Sequence, residues 1–400
     1  MPINLERPNE EQKYEYLISS FHSKAIYGLD ICVKKNLIAT CSSDRTVRIW
    51  SYVSDRHFQN ECTKTFEEEA YSLALHPSGF HLVVGFSDQV KLFNILDKRI
   101  EPYKPLPIRE CREIVFSHGG HLFACANGKQ IWVYKFYKAE CPIQFQFDGH
   151  KEQVKRISWL QDDTGFVSCG ADGAVMMWKL YPEANPNEDG QPMTNPIWTY
   201  SHQKDQYSSI AVFRPPFEEN KGQNQNTESP SHPLVYATGS DRSIREIKGG
   251  QKQSSYSEDM TYSQILCSYM RRMVVAGVSE AERPGPIQVF RYNTDPSKHF
   301  IEKALEVQVH CKQVERMRLS YDNNKLFSVG LDGVLACLSI KDNDPVSKQK
   351  LQSMPTIQPS EEILIEKHNQ DQLIQQIEDK KQKIEQQKRN AQQALDQEYA

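Results

Sequence analysis

With 400 residues, 25% charged and 38% apolar, and a formal net charge of −4, the chain reads as globular for most of its length. That balance gives no reason to expect nucleic-acid binding, and no stretch of about 18 apolar residues is present to span a membrane. The opening "MPINLERPNEEQKYEYLISS" holds no apolar run of the kind a signal peptide needs, so a soluble intracellular protein is expected.

Ten cysteines occur, but none forms a Cys-x-x-Cys pair and no Cys/His cluster has ligand spacing, so neither a metal nor a cofactor is expected. Cys41, Cys125, Cys169 and Cys337 lie in apolar, strand-like runs, where a reduced thiol acts as a small hydrophobe.

Residues 1–13 are polar and read as a flexible N-terminus, and "YEYLIS" at 14–19 reads as a strand. From there to 341, short β-branched and aromatic segments alternate with Gly, Asn, Asp and Pro clusters, which predicts strand after strand joined by tight turns. Three stretches share one pattern: "LIATCSSDRTVRIW" (37–50), "FVSCGADGAVMMW" (166–178) and "LFSVGLDGVLACL" (326–338). Each follows a His, giving the sets His22, Thr40, Asp44, Trp50; His150, Ser168, Asp172, Trp178; and His310, Ser328, Asp332, with Leu338 in the last place. In every set the His precedes the Asp by 22 residues. A His, a hydroxyl and an Asp suggest a hydrolase triad, but an active site needs one triad, and three copies at one spacing mark a repeated unit of architecture. Weaker copies at 66–93, 111–134, 234–247 and 260–290 bring the total to seven, at the roughly 40–45-residue period of a four-stranded propeller blade.

These units resemble WD repeats: "RIW" at 48–50 and "MMW" at 176–178 stand where that family has its Trp-Asp dipeptide, with Ser51 and Lys179 in place of the Asp. The resemblance implies an all-β fold, a seven-bladed WD40 β-propeller. It also implies that His, hydroxyl, Asp and Trp form a structural hydrogen-bonded tetrad inside one blade rather than a catalytic site. Leu338 should leave the network of blade seven incomplete and that blade softer. The last blade needs an outermost strand, and 14–19 is expected to supply it by pairing with 334–340, closing the ring.

Two stretches break the period, at 181–196 and 215–233, both rich in Pro, Asn, Gln and Gly. Strand alternation places them on the face opposite the tetrad turns together with Arg271 and Arg272, which makes that face the candidate partner-contact surface. The densest basic run, "DKRIEPYKPLPIRECR" at 97–112, is broken by Glu and Pro and reads as solvated surface more than as a tubulin-binding patch. A Pro-punctuated linker covers 342–359, and 360–400 is predicted as a coiled-coil helix with Ser360 as its N-cap. Ile363, Gln370, Ile377, Ile384 and Ala391 recur by seven, as do Lys367, Ile374, Lys381, Lys388 and Leu395, which is a leaky heptad.

The order propeller, linker, coiled coil, with "FHSKAIYGL", "LALHPSGFHLVVGFSDQVKL", "GGHLFACANG", "GHKEQVKRISW" and "ATGSDRSIREI", resembles the cilia- and flagella-associated protein 57 family from about Phe21 onward. Members of that family look like two propellers followed by a long coiled coil, so this chain would correspond to the second propeller and the start of the coil. The resemblance implies a non-enzymatic axonemal scaffold that docks or regulates inner-arm dynein on doublet microtubules. Expected contacts are then inner-arm dynein subunits, axonemal docking proteins, and tubulin or a coiled-coil partner, with no nucleic acid and no membrane. The alternative is a propeller platform in another assembly, such as intraflagellar transport or a ubiquitin-ligase adaptor.

Overall fold

The structure, a computed structural model, describes residues 21–54, 57–97, 99–138, 143–180, 195–202, 205–213, 233–268, 270–280, 284–292, 300–341 and 358–398. Seven antiparallel sheets follow one another along the chain and make a seven-bladed β-propeller; six have four strands in sequential order, and the seventh has three among the described residues. The innermost strands are Ile26–Ile31, Ser72–Leu75, Ile114–Phe116, Val154–Trp159, Tyr207–Phe213, Tyr262–Ser268 and Val314–Leu319. The second strand of a blade is covered on both faces by its neighbours, which is why Gly165–Gly170 ("GFVSCG") is buried along its whole length and carries no charge. Outermost strands such as Ile301–His310 face solvent and alternate accordingly.

The core lies between blades, not inside them. Cys41, Val47 and Ile49 of blade one pack on Leu73, Leu82, Val84 and Phe93 of blade two, and equivalent clusters recur around the ring. Each fully buried aromatic or aliphatic side chain in these layers contributes about 1.5–3 kcal/mol. The ring meets itself where Trp50 and Tyr52 of blade one pack with Phe327 and Val329 of blade seven, the Tyr52 and Phe327 rings 5.0 Å apart. Arg318 Nε also donates to Asp30 Oδ1 across that junction at 3.0 Å. The closing strand expected at 14–19 lies outside the described residues, as do residues 181–194 and 215–232 of the two period-breaking loops.

Turn chemistry explains the repeated Asp. The residue after it adopts a left-handed conformation, with φ of 64° at Arg45, 70° at Gly173, 59° at Arg242 and 78° at Gly333. The Asp carboxylate spans this turn by accepting the N–H two residues on, at 3.0 Å from Thr46, 3.2 Å from Ala174 and 3.1 Å from Val334.

The chain returns at Gln358 on the face opposite these turns, in the groove between blades one and two. The Ser360 N–H donates to Lys34 O at 2.8 Å, Lys35 Nζ to Glu362 O, and Arg99 pairs with Glu366 at 2.7 Å. The helix therefore starts at Lys367, not at Ser360, and runs to Glu398, because the backbone that would form its first turns is held by the propeller. Its Ile374, Ile377 and Ile384 are about half exposed, at 47%, 52% and 53%.

Candidate functional site

The three repeated sets are brought together by the blades. In blade one, His22 precedes the innermost strand, Thr40 lies on the second, Asp44 in the turn and Trp50 on the third. His22 Nδ1 is 2.9 Å from Asp44 Oδ2 and Nε2 is 2.8 Å from Thr40 Oγ1, to which Trp50 Nε1 also donates at 2.8 Å. One proton assignment of a neutral ring satisfies every contact: Trp50 N–H to Thr40, Thr40 O–H to His22 Nε2, and His22 Nδ1–H to Asp44. Burial lowers the His22 pKa against the opposing pull of Asp44. Burial alone would raise the Asp44 carboxyl, but hydrogen bonds from Thr46, His22 and the Ser23 N–H outweigh it and hold the pKa at about 2.

Blade four repeats the set, with His150 Nδ1 3.1 Å from Asp172, Nε2 2.8 Å from Ser168 Oγ, and Trp178 Nε1 donating to that oxygen at 2.8 Å. In blade seven His310 reaches Asp332 at 3.1 Å and Ser328 at 2.9 Å, while Leu338 offers Ser328 no donor. In all three, Oδ2 of the Asp accepts the N–H that follows the His, from Ser23, Lys151 and Cys311 at 3.1, 2.8 and 3.0 Å. Each Asp thus ties the entry to the innermost strand to the next turn. With both ring nitrogens and the hydroxyl committed, the geometry makes these groups a rigid brace.

Blades five and six carry substitutes that the sequence reading missed. Arg245 stands opposite Ala237 as Arg48 stands opposite Thr40. It donates to Tyr207 Oη at 2.6 Å, to Asp205 at 2.5 Å, and to the turn residue Asp241. In blade six the Tyr262 hydroxyl donates to Gln288 Oε1 at 2.9 Å, and Gln288 Nε2 donates to Glu306 at 3.1 Å. The available signal was a Tyr opening the innermost strand, paired with a long polar residue on the third.

Of the residues expected at a partner-contact face, Arg271 is buried, 4% exposed, and its guanidinium donates to Asn323 O and to Asn324 Oδ1. It ties blade six to the turn of blade seven, which leaves little of its side chain at the surface. Arg272 is partly buried with φ 50°, and its carbonyl accepts the Tyr292 N–H at 3.1 Å. The basic run at 97–112 passes along the outermost strand Ile100–Leu106, so its ends part: Arg99 holds Glu366 on one face while Arg109 and Arg112 reach the other. Burial of Cys41 and Cys169 pushes both thiols up to about 12, in keeping with a packing role, and Cys125 is fully buried. Cys337 is partly buried.

A second unanticipated feature plugs the central channel. One register position on the innermost strands holds Gly28, Ser72, Arg156, Ser209, Gln264 and Arg316. The smaller members clasp the next blade: Ser209 Oγ accepts the Ile265 N–H at 3.1 Å, and Gln264 Oε1 the Met317 N–H at 2.6 Å. At Gly28 an added Cβ would lie 2.5 Å from Cys41 Sγ, so a side chain there would require a shift. Arg316 donates to Tyr27 O and Arg112 O and sits 2.7 Å from Glu113, while Arg156 lies 3.5 Å from the same carboxylate. Burial works against both cations; Glu113 outweighs it at Arg316, whose pKa stands above the ordinary value, whereas Arg156, also repelled by Arg316, lies below. The plug leaves a cavity of about 430 Å³ toward the tetrad turns and one of about 550 Å³ toward the other face, with Arg156 lining both. Among the described residues no group of three or more His, Cys, Asp or Glu could hold a metal ion, and no helix is long and apolar enough to cross a membrane.

The WD domain, G-beta repeat family matches residues 15–51 and 141–179, the blades with complete tetrads. Cilia- and flagella-associated protein 57 A of Tetrahymena thermophila is 33% identical over 378 residues, covering 89% of this chain and 28% of that protein. Cilia- and flagella-associated protein 57 of Mus musculus is 35% identical over 336 residues, covering 84% and 24% respectively. Over 84–89% of its length the chain is thus similar to cilia- and flagella-associated protein 57. It spans about a quarter of the length of these proteins. Echinoderm microtubule-associated protein-like 2 of Mus musculus is more distant, 25% identical over 168 residues, 40% of this chain and 25% of that protein.

Proposed function

We propose that this chain is a non-enzymatic scaffold of the ciliary or flagellar axoneme, docking or regulating inner-arm dynein on doublet microtubules through its propeller and a C-terminal coiled coil. The observation that carries the reading is the likeness, over 84–89% of the chain, to proteins named as cilia- and flagella-associated. The geometry is consistent with it: the repeated His and Asp residues are committed to bracing blades, and the helix leaves the ring with half-exposed isoleucines for a second helix to cover. Docked residues 360–366 fix where that helix departs, so propeller and coil act as one lever.

The test is the location of a tagged chain in a ciliated cell, followed by salt extraction of isolated axonemes. Axonemal signal with co-release of inner-arm dynein components is the expected result. A soluble pool absent from axonemes overturns the reading and returns the propeller to a platform in another assembly.

A further inference from the structure

We propose that the channel mouth on the tetrad-turn side binds an acidic peptide segment, its carboxylates meeting Arg112, Lys155 and Arg156. The mouth is a cavity of about 430 Å³ whose lining carries four cationic side chains, Arg112, Lys155, Arg156 and Arg316, against one carboxylate, Glu315. Glu113 beneath compensates one of them, at 2.7 Å from Arg316. The whole chain has a net charge of −4, so this concentration of positive charge is local. Walls of low dielectric focus such a field into the opening and draw a complementary anion.

The cations are incompletely used by the protein. Arg156 reaches Glu113 only at 3.5 Å, and its buried Nε has no hydrogen-bond partner among the described residues. Arg156 also lines the mouth, where an entering carboxylate would meet its guanidinium. Arg112 is exposed and held over the Tyr71 ring, 4.9 Å from its centroid, which aims its guanidinium while its donors meet no acceptor among the described residues. Separated cations interrupted by Glu315 suit carboxylates spaced along an extended peptide better than an unbroken phosphate backbone, which needs a continuous basic surface. The inference rests on reading the ring as a protein-interaction platform, but its test is a direct binding measurement and the localisation experiment stands apart from it.

The experiment is fluorescence anisotropy of the full chain with a labelled Glu-rich peptide, its Gln counterpart and oligothymidylate of equal charge. Binding of the Glu peptide alone is expected, about tenfold weaker when salt rises from about 50 to 300 mM. Arg112→Gln with Lys155→Gln should weaken binding roughly tenfold, and Glu315→Gln should tighten it roughly two- to threefold. Thermal unfolding of each variant confirms the fold, and Arg112→Gln keeps the main-chain carbonyl that receives Arg316. No binding of the Glu peptide, equal binding of the Gln peptide or the oligonucleotide, or indifference to these substitutions overturns the proposal.

Discussion

Blades four and five solve one problem with different chemistry. Blade four links its buried polar groups through an imidazole between a hydroxyl and a carboxylate, closed by an indole. Blade five has no such His or Trp; a guanidinium bridges Tyr207, Asp205 and Asp241 instead. Common to both is the turn Asp and the left-handed residue after it, Gly173 or Arg242. These two blades thus share the Asp-capped turn, and the residues that fill the interior behind it are exchangeable.

The comparison is tested most severely by Arg245→Met. Blade five should lose about 3 kcal/mol, because Asp241 and the buried Tyr207 hydroxyl lose the guanidinium, while Asp205 keeps His202 at 2.7 Å. Urea unfolding reads this directly; a loss below about 1 kcal/mol would show that Arg245 is ornamental and the two blades are not equivalent. The corresponding cut in blade four, Ser168→Ala, should cost about 2–3 kcal/mol, since Trp178 Nε1 and His150 Nε2 both lose their partner at a buried site. Ser328→Ala in blade seven should cost only about 1 kcal/mol, because Leu338 makes no bond to the hydroxyl and only His310 is stranded. Equal losses at Ser168 and Ser328 would mean the indole bond adds nothing.

These contrasts also explain what was legible in sequence. The tetrads could be read because their members recur at a fixed spacing of 22 residues with distinctive types. Blade five kept the "SDR" turn, but Ala237 at the hydroxyl position removed the pattern, and Asp205 and Arg245 were too ordinary to suggest each other. Arg271 looked like an exposed turn residue because its partners, Asn323 and Asn324, belong to the next blade. The channel plug was hidden for the same reason on a larger scale: Arg316 and Arg112 are 204 residues apart and meet only when the ring closes. Ser360 is a good N-cap by type, and nothing local announces that Lys34, Lys35 and Arg99 hold its surroundings out of the helix.

The smallest effect near neutral pH, and the one that separates imidazole from guanidinium most cleanly, is titration. The folded-state pKa of His22 lies below its ordinary 6.5, chiefly through burial, so the unfolded chain takes up a proton first on acidification. Its contribution to stability is complete above about 6.5 and is lost as pH falls toward the lowered value. The Asp44 contribution, from a carboxyl held at about 2 instead of 3.8, persists above the ordinary value and is lost only as pH falls through about 2. Arg245 stays charged across both windows. Hydrogen exchange, corrected for its intrinsic pH dependence and followed from pH 7.5 to 5.5, should therefore show the strands Leu37–Ser42 and Thr46–Ser54 opening more readily while Leu234–Gly239 and Ser243–Lys248 hold. Parallel loosening of both blades would mean that acid acts on the ring as a whole and that the His22 proton has no local consequence.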